Sequence, residues 1–488
     1  MCNRPNVLWI CADQLRFDTL SINGDPIVET PNLERLCAMG VSFQNMYSQS
    51  PVCAPSRASF LTGRYPRTTL VRQNGQDIPA SERLISKIFH DSGYACGLSG
   101  KLHLSACSME VCPGVERRID DGYDVFHWSH HPVYPNNRGN WVGNEYTWFL
   151  REKGILSPPE QVSGCKYVDT GVPAQYSQTA WCTDKAMEFI DAALALQKPF
   201  FFSINYYDPH HPFDPPAPLL EKYVKRIEQI PLPNYTQGEL EQKPLFAAKD
   251  HRGAYETPGN YPFAAMNERD HKMLRAAYYA MIDLLDQNLG RLLDYLEQKN
   301  QLENTVILFH SDHGELLGDH GMYLKGPYFY ECNVHVPFVM AWKNHLPAGQ
   351  KRFALTELTD VAPTLAQLCG MEPQPQMQGR SFAHLLHETT EDSHREFVYA
   401  EYYNANINHR DPKAFLTMVY DGRYKLVRVH NTPGTVGGEL YDLEADPGET
   451  NNRYNNPAYA KIKCALLERM TDAMALTADP LPLRRSSW

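Results

Sequence analysis

The most constraining feature of this chain is the alternation of short, unbroken apolar runs with longer stretches of helical periodicity. Asn6–Ala12, Phe200–Tyr206, Thr305–Ser311 and residues 336–342 are such runs. A strand reads this way, without polar alternation, when both of its faces are covered. Thr30-Pro31 opens a helix with a capping side chain and a proline in the first turn. Leu33, Leu36 and Met39 line one face of that helix, and Gly40 closes it. Ser81 and Gly93 bracket a second helix ahead of a strand at 94–99. Residues 176–196 read as a third helix. Residues 268–299 read as a fourth, striped by Leu274, Met281, Leu285, Leu292 and Leu296. The alternation predicts an α/β fold, a mostly parallel central sheet with helices on both faces.

The texture changes near residue 375. A Pro/Gln-rich stretch precedes β-like runs at 397–403, Phe415–Tyr420 and 424–429, closed by a helix near 457–475. We therefore expect a large domain over 1–375 and a smaller α+β domain over 376–488. Segments 105–175 and 207–262 are Pro-, Gly- and aromatic-rich with weak periodicity, and long insertions of this kind are usually functional.

With 46 Lys+Arg against 57 Asp+Glu, the formal charge is −11, which argues against nucleic acid as the main partner. No run approaches the ~20 apolar residues of a membrane span. No leader is visible after Met1, so the expectation is a cytoplasmic protein, or a periplasmic or secreted one if a leader has been trimmed. The twelve cysteines are scattered without zinc-like spacing. Cys332 and Cys369 read as core thiols.

Chemistry collects where strands end. Asp13 follows the Asn6–Ala12 run, and Asp312-His313 follows Thr305–Ser311. Parallel strands end on one rim, the edge where α/β folds bind ligands. With Gln14 beside them, these side chains form a candidate oxygen-rich cation site, or else they cap turns. Cys53-Ala-Pro-Ser-Arg57 places a cysteine ahead of a helix, where backbone N–H groups favour an anion. As a bare thiol it lacks an obvious general base nearby in sequence.

Cys53-x-Pro-x-Arg57, continued by Leu61-Thr-Gly-Arg64, resembles the maturation signature of the formylglycine-dependent sulfatases of the alkaline phosphatase superfamily. Gly100-Lys101-Leu102-His103, Pro209-His210-His211-Pro212, Ser311-Asp312-His313-Gly314 with Lys325, and Leu440-Tyr441-Asp442 with Asp446-Pro447-Gly448 resemble further family segments, in order along the chain. The resemblance implies an α/β/α sandwich and hydrolysis of sulfate monoesters through a formylglycine made from Cys53 by a separate maturation enzyme. It implies one divalent cation, most often Ca²⁺ in this family, held by Asp13, Asp312, His313 and residue 53, with Gln14 at a further ligand position. Arg57 and Lys101 would steady the hydrate and the sulfate charge, and His103 would be the base that collapses the intermediate. His210 and Lys325 would bind ester oxygens and assist the leaving group.

Two departures stand out. Gln14 replaces a common second Asp, which shifts metal preference towards Mg²⁺ or Mn²⁺, and His335 stands where Arg is common. Both are similar to the phosphonate monoester hydrolases, whereas Lys101 and His103 are the sulfatase choices. The substrate expected is a sulfated sugar, with arylsulfatase or phosphonate monoester hydrolase as alternatives, or an inactive sulfated-glycan binder if Cys53 stays unconverted. His211 reads as a turn-shaping residue, and Asp319 and His320 as supports for the second metal segment. The group Trp128, His130, His131, Tyr134, Trp141 and Trp148 is either loop packing or a wall for a ring-shaped substrate.

Overall fold

The computed structural model describes residues 4–481, apart from 134, 136–140, 157–159, 163, 388–391, 405–412 and 431–435. Tyr134 of the aromatic group therefore lies outside the described residues.

The main sheet contains β1 (Asn6–Ala12), β2 (Gly40–Tyr47), β3 (Ala95–Gly100), β4 (Val125–Trp128), β5 (Phe200–Tyr206), β6 (Thr305–Ser311) and β7 (His335–Ala341), with short β8 (Gln350–Arg352) and β9 (Thr356–Glu357). The spatial order is β4-β3-β5-β1-β6-β7-β2-β8, with β9 beside β2. The strands from β4 to β6 run parallel, while β7 is antiparallel to both β6 and β2. Alternate residues of β1 serve two cores. Leu8, Ile10 and Ala12 face one, built on α5 (Glu268–Gln298) and α4 (Gln178–Ala195). Val7, Trp9 and Cys11 face the other, with α2 (Cys53–Thr62), α3 (Ile85–Asp91) and α6 (Val361–Leu368). This period-two partition is why β1 is apolar throughout. α1 (Pro31–Ala38) follows the predicted Thr30-Pro31 start and packs its Leu33 and Leu36 into the first core.

Register positions the site. Ala12 pairs with Ser311 on one side and Tyr206 on the other, and Gly100 pairs with Asn205. Asp13, Asp312, Tyr207 and Lys101 therefore each stand one residue past a strand end, on one rim. Gly100 is required there: its φ is +94°, and a Cβ would lie 2.0 Å from the Asn205 carbonyl oxygen.

A second, antiparallel sheet comprises β10 (Val398–Tyr403), β11 (Phe415–Tyr420), β12 (Tyr424–His430) and β13 (Gly438–Asp442). One face packs on α7 (Ala460–Ala478) through Val419, Leu426, Leu440, Leu466 and Met470. The other meets the main unit through Leu416, Met418 and Tyr441 against Tyr47, Val52 and Phe329. No helix among the described residues is long and apolar enough to cross a membrane.

Candidate active site

Cys53 is the first residue of α2 and is buried, as are all ten residues of that helix. Its Sγ lies 3.1 Å from His313 Nε2, 3.0 Å from Lys325 Nζ and 3.6 Å from Asp13 Oδ1. The ligand atoms of Asp13, Cys53, Asp312 and His313 all fall within 4.8 Å of one another. Two rims of sequence almost three hundred residues apart thus meet at one thiol.

Each member is oriented by a neighbour. His313 Nδ1 donates to the Gly314 carbonyl at 2.8 Å, which leaves the Nε2 lone pair facing the cluster. Asp312 accepts from the backbone N–H groups of Gln14 (3.0 Å) and His313 (2.9 Å) and from Arg57 Nε at 2.9 Å. Arg57, one turn along α2 from Cys53, also donates to the Lys101 carbonyl (2.9 Å) and to Asn205 Oδ1 (3.2 Å). Lys101 Nζ donates to Asp13, and Ser56 Oγ to the Asp312 carbonyl. The Gln14 amide nitrogen donates to the buried Glu315 carboxylate, so its oxygen is turned to Lys325 Nζ, 2.6 Å away. Gln14 and His103 both have positive φ, near 69° and 58°. That is strained backbone of the kind functional sites retain.

The electrostatics follow from packing this charge out of water. Burial pushes the Asp13 carboxyl up, but Lys101, Arg57 and Lys325 outweigh it and hold Asp13 well below the usual carboxylate range. Burial lowers Lys101, yet the Asp13 charge beside it holds the ammonium above its ordinary value. Burial and Asp13 raise the Cys53 thiol, while Lys101, Lys325 and His313 more than offset them and bring it down to about 7. Any anion at this position is therefore stabilised. Burial, with Lys101 nearby, keeps His103 well below the ordinary imidazole range. Its Nδ1 is out of solvent without a hydrogen-bond partner, so nothing in the protein fixes its tautomer.

Two carboxylates, an imidazole lone pair and the amide oxygen of Gln14 suit a divalent cation of the Ca²⁺ or Mg²⁺ type. The fit is good: three hard oxygen donors and one imidazole nitrogen, out of water, are each already held by a second partner.

A cavity of about 510 Å³ opens over the cluster, lined on the reaction side by Cys53, Lys101, His103, His210 and Lys325. Both long insertions contribute: Ala106, Cys107, Ser108, Val111 and His130-His131 from one, Tyr207, His211 and Tyr255 from the other. The aromatic group divides. Trp128 and Trp141 are fully buried packing residues, Trp148 is surface-exposed, and of the described members only His130 and His131 line the cavity. Asp319 pairs with Arg16 and Arg275, and His320 Nδ1 with Glu239, away from the cluster. His335 is stacked between Phe17 and Tyr47 and bonds Glu331 at 2.9 Å, so it also stands apart. Sequence reading passed over Tyr207, Asn205 and Glu116. The first two end β5 on the active rim, a position that could have marked them. Glu116, whose carboxylate holds the backbone N–H groups of His103 and Leu104 (both 2.9 Å), carries no such signal.

The family model described as Sulfatase matches residues 5–371, and one described as N-sulphoglucosamine sulphohydrolase, C-terminal, matches 318–475. The chain belongs to the sulfatase family. This sulfatase is 30% identical to the multifunctional alkaline phosphatase superfamily protein PehA of Trinickia caryophylli, over 94% of this chain and 93% of that protein. It is 24% identical to the N-acetylglucosamine-6-O-sulfatase of Bacteroides thetaiotaomicron, over 98% and 88%. The fold is shared with the phosphonate monoester hydrolase of Silicibacter pomeroyi at a TM-score of 0.82 and 24% identity, over 98% of this chain and 97% of that one. The sulfatase is thus an enzyme of sulfate ester hydrolysis on an alkaline-phosphatase-like fold, with a cation site of the kind its family uses.

Proposed function

We propose that this sulfatase cleaves sulfate monoesters of sugars through a formylglycine made from Cys53 by a separate maturation enzyme. One divalent cation, Ca²⁺ or, favoured by the neutral Gln14, Mg²⁺ or Mn²⁺, is held by Asp13, Gln14, Asp312, His313 and residue 53. The observation carrying this reading is the place of Cys53: at the N-terminus of α2, touching Lys325, His313 and Asp13 at once. A sulfate monoester is an anion that repels nucleophiles, so its oxygens need positive charge before attack. The cation, held by those residues, would supply Lewis-acid charge to those oxygens, and a formylglycine hydrate at position 53 would supply two hydroxyls, one as nucleophile towards sulfur and one whose deprotonation would release sulfate.

The protein's own groups do the rest. Arg57 locks Asp312 and, through the Lys101 carbonyl, the loop that delivers Lys101. Lys101 and Lys325 bring two ammonium groups to the sulfate position. His103, neutral and with a free tautomer, is suited to take a proton from the residue-53 hydroxyl. The sugar assignment rests on the two insertions that wall the cavity, and on the similarity to an N-acetylglucosamine-6-O-sulfatase. A phosphonate monoester reading draws on Gln14 and is the second reading.

Cys53→Ala is expected to reduce desulfation of sugar and aryl sulfates to background while the melting temperature stays within a few degrees of wild type. Intact mass of the residue-53 peptide reports conversion in parallel. Substantial turnover by the alanine variant contradicts the formylglycine mechanism.

A further inference from the structure

We infer that the pocket takes the monosulfate of a neutral, hydroxyl-bearing ring, and that His130 and His211 are its hydroxyl partners. The inference deepens the sugar-sulfate reading above and rests on it.

The first argument is an accounting of charge. Lys101 and Lys325 are the two full cations lining the cavity among the described residues, and both are turned to the reaction centre. Lys101 pairs with Asp13, and Lys325 contacts Gln14 and the Cys53 sulfur. Their remaining N–H groups face the reaction centre and serve the scissile sulfate, so a uronate carboxylate or a second sulfate elsewhere on the ring would be desolvated without a counter-ion of its own. The described lining also holds no carboxylate, so a cationic substrate would find no full counter-charge there.

The second argument concerns what the wall offers instead. The Nδ1 atoms of His130 and His211 are out of solvent and have no hydrogen-bond partner among the described residues. Each ring is therefore free to carry its proton on either nitrogen, so it can donate or accept. A hydroxyl does both as well. Burial, followed by the nearby lysines, keeps both imidazoles well below their ordinary range, which leaves them uncharged partners at neutral pH. His211 was expected to shape the turn only, yet it lies in the lining, 6.2 Å from the Tyr255 ring. The cavity, about 510 Å³, is of small-molecule size.

The test uses formylglycine-converted, cation-loaded enzyme. The substrates are hexose and N-acetylhexosamine monosulfates, a disulfated glucosamine, a sulfated uronate, choline sulfate and 4-nitrophenyl sulfate. At least one neutral monosulfate is expected to exceed the disulfated, uronate and choline substrates in kcat/KM by about tenfold or more. His130→Ala and His211→Ala should each raise KM for that substrate by about tenfold with a smaller change in kcat, partly restored by Asn at the same position. Preference for a charged leaving group, or unchanged KM in both variants, overturns the inference. Turnover of the aryl sulfate but of no sugar sulfate sinks it while the sulfatase chemistry stands; turnover of none sinks both.

Discussion

His210 lines the pocket with its own proton already committed. Its Nδ1–H donates to the His211 carbonyl, and burial reinforced by Lys325 holds the ring well below the ordinary imidazole range. At neutral pH its Nε2 is then a lone pair, which accepts rather than gives. Lys325 differs: two of its three N–H groups meet Gln14 and the Cys53 sulfur, and the third remains for an ester oxygen. Of the pair named on sequence grounds, we therefore propose Lys325 as the group that assists the leaving group. General acid catalysis is worth about 10²–10⁴-fold and matters less as the leaving group becomes more acidic. Lys325→Met should accordingly damage hydrolysis of a sugar sulfate more than that of nitrophenyl sulfate, whereas His210→Ala should damage both alike. Comparing kcat/KM for the two substrates in each variant checks this, and the reverse pattern restores His210 as the donor. The identity of these residues was legible because motif spacing survives in a single sequence. Their protonation was not, because it depends on a carbonyl one residue away and on burial.

Among the elements, the strands with unbroken apolar runs were readable, and those whose pattern is interrupted were not. β2 escaped because its register shifts between Phe43 and Met46 against β7, so its apolar residues do not alternate cleanly. β13 escaped because Gly438, Glu439 and Asp442 sit in it, with the Glu439 carboxylate bonded to Tyr330 and Tyr441 rather than to water. The helix expected between Ser81 and Gly93 is real but shorter, Ile85–Asp91, with Leu84 as its cap. How the second sheet is fastened was invisible in sequence. Lys425 on β12 is fully buried and donates to Glu331 at 2.6 Å and Glu449 at 2.8 Å. Burial alone would lower its ammonium, but the two carboxylates hold it above the ordinary value. Removing one member of such a cluster leaves buried charge uncompensated, typically costing about 3–5 kcal/mol. Lys425→Met should lower the unfolding midpoint by that order while KM changes little, as measured by denaturant titration beside steady-state kinetics. An unchanged midpoint would mean the cluster does not fasten the sheet.

For the molecule as a whole, buried imidazoles weaken the fold in acid, against buried carboxylates such as Asp208, raised by burial to about 6, which act in the opposite sense. His103, His130, His210 and His211 lie well below their ordinary range, chiefly through burial, and His131, His271 and His310 are pushed down to about 4. His313, raised by Asp312 against the pull of burial, is the one shift in the opposite sense among these groups. On acidification the unfolded chain binds protons first, from about pH 6.5 downward, so stability falls as pH drops from there towards 4. Melting temperatures across that window should decline steadily, and a flat profile would mean that the histidines do not outweigh the raised carboxylates. The central claim concerns chemistry, and it rests on Lys101 and His103 standing beside a residue 53 that faces a cation site containing Gln14. The most direct measurement is kcat/KM of converted, cation-loaded enzyme for 4-nitrophenyl sulfate against a 4-nitrophenyl phosphonate monoester, which share leaving group and net charge. The account predicts that the sulfate is the better substrate, and a preference for the phosphonate would contradict it.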